Sequence, residues 1–237
     1  MTGSESLSVK EYFGSDKAKA YDEQIRQSIP GYEGIHGMVY AFLLNELPEN
    51  AHVLVAGAGT GMELLYMGQR RPGWRFTAFD ISSEMLTICE ECLAGAGMRD
   101  RVTLVHGSTK DIPETMHYDA ATSLLVSHFI TDSTARATYY SGIAKRCKPG
   151  APFLIADLVG DKTDPAFELF GKAWWTFNIN NGRDPVELEE GFKKSAQVVS
   201  YLPEDAYCSM LTDAGFSVVK QFFRGLLFSG WFCRAVL

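Results

Sequence analysis

Three glycines fall within five positions of VLVAGAGTGMEL, residues 53 to 64: Gly57, Gly59 and Gly61. The apolar run before them reads as a strand and the amphipathic run after them as a helix, which places the glycines in a strand-to-helix turn. Glycine in such a turn lets backbone N–H groups approach a ligand more closely than any Cβ would permit. Asp80 closes the next strand candidate, WRFTAFD, where a carboxylate can accept hydrogen bonds from both hydroxyls of a ribose. Together, on successive strands, the two features point to an adenosine-containing ligand. Dinucleotide enzymes use GxGxxG, which here would require glycine at position 62, and that position is Met62. The chain carries GxGxG instead, which speaks against a nicotinamide dehydrogenase. His128, just past the fourth strand candidate in LLVSHFI, is the first candidate for a general base, because an imidazole is the side chain best suited to exchanging a proton near neutral pH. His36 and Asp157 are further candidates; Asp157 could equally orient a substrate cation or cap a loop. His52, His106 and His117 read as structural. Cys89 and Cys92 form a CxxC inside a helical pattern with no second pair, so they read as helix-face residues and no metal is expected.

The elements that must position these groups alternate along the chain. Strand candidates cover 51–57, 74–80, 101–107, 118–126, 151–159, 216–223 and 226–236, and helical patterns cover 60–69, 82–95, 133–147 and 203–214, with two more helices before the first strand. Residues 160–200 hold two helical segments in succession. Only Arg224 and Gly225 separate the last two strand candidates, a link short enough to require an antiparallel hairpin. The expectation is five βα units followed by a hairpin closing one edge of a single sheet.

Bulk composition fits that picture. At 237 residues, 46% hydrophobic and 22% charged, the chain has the balance of one generous folded α/β domain. A net charge of −7 supplies no global field for nucleic acid, although short basic patches occur at Arg70 with Arg71 and at Lys145, Arg146 and Lys148. No apolar stretch approaches the roughly 20 residues that cross a bilayer, and MTGSESLSVK lacks the features of an export signal. Five cysteines, an odd number, fit reduced thiols better than a disulfide framework. A cytoplasmic protein without membrane or nucleic-acid partners is expected; a homodimer is compatible with the sequence.

The motifs resemble those of the class I S-adenosylmethionine-dependent methyltransferases over nearly the whole chain. VLVAGAGTG is similar to their first motif, AFDISSEML to the segment after the second strand, YDAATSLLVSHFI to the fourth-strand motif, and RCKPGAPFLIAD to the turn and fifth strand. The resemblance implies a Rossmann-like fold with a seven-stranded, mostly parallel sheet, an antiparallel last strand and helices on both faces. It implies S-adenosylmethionine as cofactor and S-adenosylhomocysteine as product. By position, Gly57, Ala58, Gly59 and Gly61 would face the amino acid end, Asp80 would hold the ribose, and Ile81 and Met85 would flank the adenine. Leu124 would contribute backbone beside the amino acid group. Where the family often shows Gly-Asp after its third strand, this chain has Gly107 and Ser108, whose hydroxyl can still accept a hydrogen bond.

A narrower resemblance lies in YDEQIRQSIPGYEGIH, which is similar to the N-terminal segment of carboxy-S-adenosylmethionine synthases. It implies that residues 1–50 form a helical cap in which Tyr21 and Tyr32 lie against the sulfonium and Arg26 pairs with the methionine carboxylate; alternatively, the tyrosines only pack the cap on the sheet. The synthases need a further cationic clamp between the fifth and sixth strands. Here that segment reads GFKKSAQ, with Lys193 and Lys194 in place of a planar guanidinium, which favours ordinary methyl transfer. Residues 160–200 are aromatic and partly amphipathic. As a lid they would present Phe170, Trp174 and Phe177 to an aromatic or heterocyclic small-molecule methyl acceptor, the alternative being a core-packing stripe. The alternatives are a carboxy-S-adenosylmethionine synthase-like enzyme, an RNA or protein methyltransferase, and a protein that binds the cofactor without turning it over.

Overall fold

The computed structural model describes residues 15–236, with side chains from residue 21 onward; the first fourteen residues of the expected cap lie outside the described part. Seven strands form one sheet: β1 (His52–Ala56), β2 (Arg75–Asp80), β3 (Val102–His106), β4 (Ala120–Leu124), β5 (Pro152–Leu158), β6 (Phe216–Gly225) and β7 (Phe228–Ala235), in the order β3-β2-β1-β4-β5-β7-β6. Pairing is parallel from β3 to β5, and β7 runs antiparallel between β5 and β6. The expected architecture is present.

Eight helices accompany the strands among the described residues. Two precede β1, α1 (Ser15–Ser28) and α2 (Tyr32–Glu46). Four lie between or after the parallel strands and the lid loop: α3 (Met62–Arg70), α4 (Ser83–Gly95), α5 (Ser133–Ala144) and α8 (Glu204–Asp213). The expected lid segment holds α6 (Pro165–Asn180) and α7 (Pro185–Ser195). Each lid helix starts at an Asp-Pro pair: Asp164 and Asp184 accept backbone N–H bonds as N-caps, and proline follows at the first helical position, where no N–H is needed. Along β1, Val53 and Val55 enter the core on one sheet face while Leu54 and Ala56 enter the core on the other, as alternation in a strand covered on both faces requires. None of the described helices is long and apolar enough to cross a membrane.

The hairpin departs from expectation by two residues. Gly225 pairs with Phe228 inside the ladder and the turn falls on Leu226 and Leu227, with Leu226 at φ 53°. Gly225 is glycine for a different reason: a Cβ there would stand 2.8 Å from the Phe223 ring and 3.2 Å from the Pro30 carbonyl oxygen. After β1 the chain winds outward through β2 and β3, then returns to place β4 on the other side of β1. The carboxyl ends of β1 and β4 therefore diverge, and the crevice between them is where an open α/β sheet takes its ligand.

Candidate functional site

At that crevice the glycine turn is built differently from the expectation of free amides. The N–H groups of Gly57 and Ala58 both donate to the Phe79 carbonyl oxygen at 2.9 Å, and Gly59 N–H donates to Asp80 Oδ2 at 2.8 Å. What the turn offers a ligand is a surface without a side chain at Gly59. A Cβ at Gly57 would run into Val126, whereas one at Gly59 would meet nothing within 4 Å, so the space over Gly59 is open. Asp80 Oδ1 accepts from Ser82 N–H at 2.9 Å, leaving lone pairs on both oxygens for ligand hydroxyls. Burial pushes the Asp80 carboxyl up, against the backbone hydrogen bonds from Ser82 and Gly59 that pull it down.

A cavity of about 580 Å³ opens over this turn. Its wall includes Gly57, Ala58, Gly59, Asp80, Ile81, Met85, Ser108 and Leu124 from the strand ends, and Tyr21 and Tyr32 from the cap. Three expected residues are absent from it. Gly61, at φ 89°, lets α3 pack on α4, since a Cβ would stand 2.8 Å from Cys89 Sγ. Gly107, at φ 154°, yields to Asp111, which caps the following turn together with Ser108. Arg26 is exposed and donates from Nε to Glu33 Oε1 at 2.7 Å, so a local carboxylate occupies the guanidinium expected to pair with a ligand. The cap is tied to the turn instead by Thr60, whose hydroxyl donates to Asp22 Oδ1 at 2.5 Å.

A second cavity, about 450 Å³, shares Tyr21, Ile25, Leu125 and Phe129 with the first. His128 and Trp174 line it. Leu125, between the two cavities, holds a left-handed φ of 62°, a strained conformation for leucine that only a well-braced site maintains. His128 Nδ1 bonds to Asp157 Oδ1, and Asp157 also accepts from Ser127 Oγ, from Tyr207 Oη at 3.1 Å and from Leu158 N–H at 2.8 Å. Asp157 is wholly buried and touches neither cavity, which corrects the expectation that it meets substrate. Burial pushes its carboxyl up, but the neighbouring His128 charge and these hydrogen bonds outweigh that and hold it below the ordinary range. Because a carboxylate only accepts, Nδ1 carries the hydrogen whether or not the ring is charged, and in the neutral ring Nε2 is left as the acceptor.

The lid aromatics divide. Trp174 donates from Nε1 to the Ser28 carbonyl oxygen at 2.7 Å and packs against Phe192 and Phe228. Phe170 packs on the core with Arg224 over its ring, and Phe177 is half-buried; neither lines either cavity, where the expectation had both facing an acceptor. Helix α6 turns one stripe of its aromatics to the core, and only Trp174 reaches the opening. Sequence reading missed Glu63, Leu125, Phe129, Thr138 and Tyr139, all of which line the first cavity. Glu63 alone left a signal, an acidic residue on the apolar stripe it shares with Leu64 and Met67. His36, expected as a remote candidate base, lines the first cavity.

Residues 53–150 match the model of a methyltransferase domain. Among curated relatives, the carboxy-S-adenosyl-L-methionine synthase of Chromohalobacter salexigens is 24% identical over 92% of this chain and 80% of its own length. Among solved structures, an O-methyltransferase family protein from Burkholderia thailandensis superposes with a TM-score of 0.66 at 16% identity, over 98% of this chain and 64% of that one. An O-methyltransferase family 2 protein from Planctomyces limnophilus, solved in complex with apigenin, gives a TM-score of 0.59 at 18% identity, over 98% of this chain and 63% of that one.

Proposed function

Taking as premise that this chain is a class I S-adenosylmethionine-dependent methyltransferase, we propose that its methyl acceptor is a small aromatic or heterocyclic molecule held in the second cavity. The observation that carries this is the common wall: Tyr21, Ile25, Leu125 and Phe129 line both cavities, so occupants of the two would meet there. The first cavity fits the cofactor, with open space over Gly59 and a carboxylate at Asp80 suited to a ribose. When bound, the cofactor supplies a methyl group already activated by a sulfonium charge. The chain's own tasks are then alignment and exclusion of water. Trp174, Phe192, Tyr201 and Phe228 give the second cavity aromatic faces for a flat acceptor. His128 Nε2, with its tautomer fixed by Asp157, serves as general base for an acceptor that must lose a proton. The complex of the Planctomyces limnophilus protein with apigenin supports an aromatic acceptor by analogy of fold.

The relatives named as carboxy-S-adenosyl-L-methionine synthases support a second reading, a cofactor-modifying enzyme. Against it, Lys193 and Lys194 are exposed on one helix and neither offers the planar fork that matches a carboxylate. One experiment separates the readings: methyl-labelled cofactor is incubated with the protein and cell extract, which is then fractionated by size. Label in the small-molecule fraction, attached to something other than the cofactor, is expected. Label in RNA, or a carboxylated cofactor released from the protein, would overturn the proposal.

A further inference from the structure

Two buried polar side chains on the wall of the first cavity carry atoms without a hydrogen-bond partner. Glu63, at the start of α3, is 7% exposed and its Oε1 has no hydrogen-bond partner; His36, on α2, is 6% exposed with neither ring nitrogen partnered. Buried polar atoms in native proteins are almost always satisfied, and orphans facing a cavity mark where a ligand completes the network. We propose that Glu63 and His36 hold the amino acid end of the cofactor, Glu63 accepting from its α-ammonium and His36 donating to its carboxylate.

Location and charge both support this. Glu63 lies two residues beyond Gly61, beside the turn, and His36 stands between Tyr32 and Tyr66, on the cap side of the same cavity. The surrounding ionisable groups are committed elsewhere: on α1, Asp22 bonds to Thr60 and Arg26 to Glu33; at the tip of β2, Asp80 bonds to Gly59 and Ser82. On α2, Tyr32 is buried and its phenol is pushed up by burial. Thr122 on β4 approaches Glu63 without completing a hydrogen bond. No described cation faces Glu63, so a ligand ammonium would be its first counter-charge. Burial raises the Glu63 carboxyl to about 7 and lowers the His36 imidazole to about 4. Near neutrality His36 is therefore neutral and keeps one N–H to donate, while Glu63 loses a proton when a cation binds beside it.

That proton is measurable. S-adenosylhomocysteine carries the amino acid end, and 5′-methylthioadenosine lacks it. Calorimetric titration of both into the full chain should show S-adenosylhomocysteine binding about tenfold more tightly at about pH 8 than at about pH 6, with close to one proton released at the lower pH. Methylthioadenosine should show neither effect. Glu63→Gln should flatten the S-adenosylhomocysteine profile, and His36→Phe should weaken that ligand while sparing methylthioadenosine. The proton count uses the unmodified protein, so it stands even if a variant fails to fold. Equal pH dependence for both ligands, or none for S-adenosylhomocysteine, would overturn the proposal; binding of neither would remove the cofactor itself.

Discussion

At the scale of single residues, the two glycines of the turn do different work, and substitution separates them. At Gly57 an alanine Cβ would collide with Val126 and face a φ of 87°, so Gly57→Ala should cost about 3 kcal/mol or more of stability. At Gly59 the Cβ would meet no protein atom and the φ of 50° lies in the left-handed region, costing about 1–2 kcal/mol. It would, however, fill the space a ligand needs. Gly59→Ala should therefore keep a cooperative thermal transition while losing most affinity for S-adenosylhomocysteine; retained affinity would place the ligand elsewhere. His128 is tested in the same spirit. With Asp157 fixing its tautomer, His128→Asn should lower acceptor turnover about 100-fold while leaving the Kd for S-adenosylhomocysteine nearly unchanged. Equal losses in both would mean that His128 only braces the wall.

At the scale of elements, the site depends on helices from opposite ends of the chain meeting over the sheet. The Trp174 indole on α6 bonds to the carbonyl of Ser28 at the end of α1, and Tyr21 and Ile25 of α1 line both cavities. Loosening one helix should thus loosen the other. Trp174→Ala removes an aromatic wall worth about 1–1.5 kcal/mol to a flat acceptor, which is about tenfold in its KM. The Kd of the cofactor should change much less, and hydrogen exchange should quicken in both α1 and α6. An unchanged KM would remove Trp174 from the acceptor site, and faster exchange in α6 alone would show that the two helices move independently.

At the scale of the whole molecule, two buried ionisable groups set opposing pH dependences. Glu63, with its carboxyl raised to about 7, binds more protons folded than unfolded, so its contribution to stability falls as pH rises from about 4.5 to about 7. His36, lowered to about 4, binds fewer protons folded, so its contribution rises between about 4 and about 6.5. Each effect is on the order of 3 kcal/mol across its window, and over their common range they nearly cancel. The contributions of Glu63 and His36 to the urea midpoint of the ligand-free protein should therefore largely offset each other through that range. Glu63→Gln should expose a rising profile and His36→Phe a falling one; parallel profiles for the two variants would contradict the burial of one or both groups. Below this range Asp157 acts: its depressed carboxyl holds stability until pH falls through its folded value, where that contribution is lost.

The sequence by itself determined the alternation of strands and helices, the seven-stranded sheet with its reversed last strand, and the turn with Asp80 beyond it. These follow from local rules: hydrophobic period, the conformational freedom of glycine, and the position of a carboxylate at a strand end. Tertiary structure decided what each side chain touches. Gly61 and Gly107 looked like cofactor residues but are glycine because Cys89 and Asp111 press against them. Arg26 looked like an anion clamp but was claimed by Glu33, seven residues away on the next helix. Phe177 and Trp174 are three residues apart on one helix, yet only Trp174 meets a cavity. The orphaned atoms of Glu63 and His36 belong wholly to that second kind of knowledge, because a missing partner is a property of everything packed around a group and no stretch of chain carries it alone.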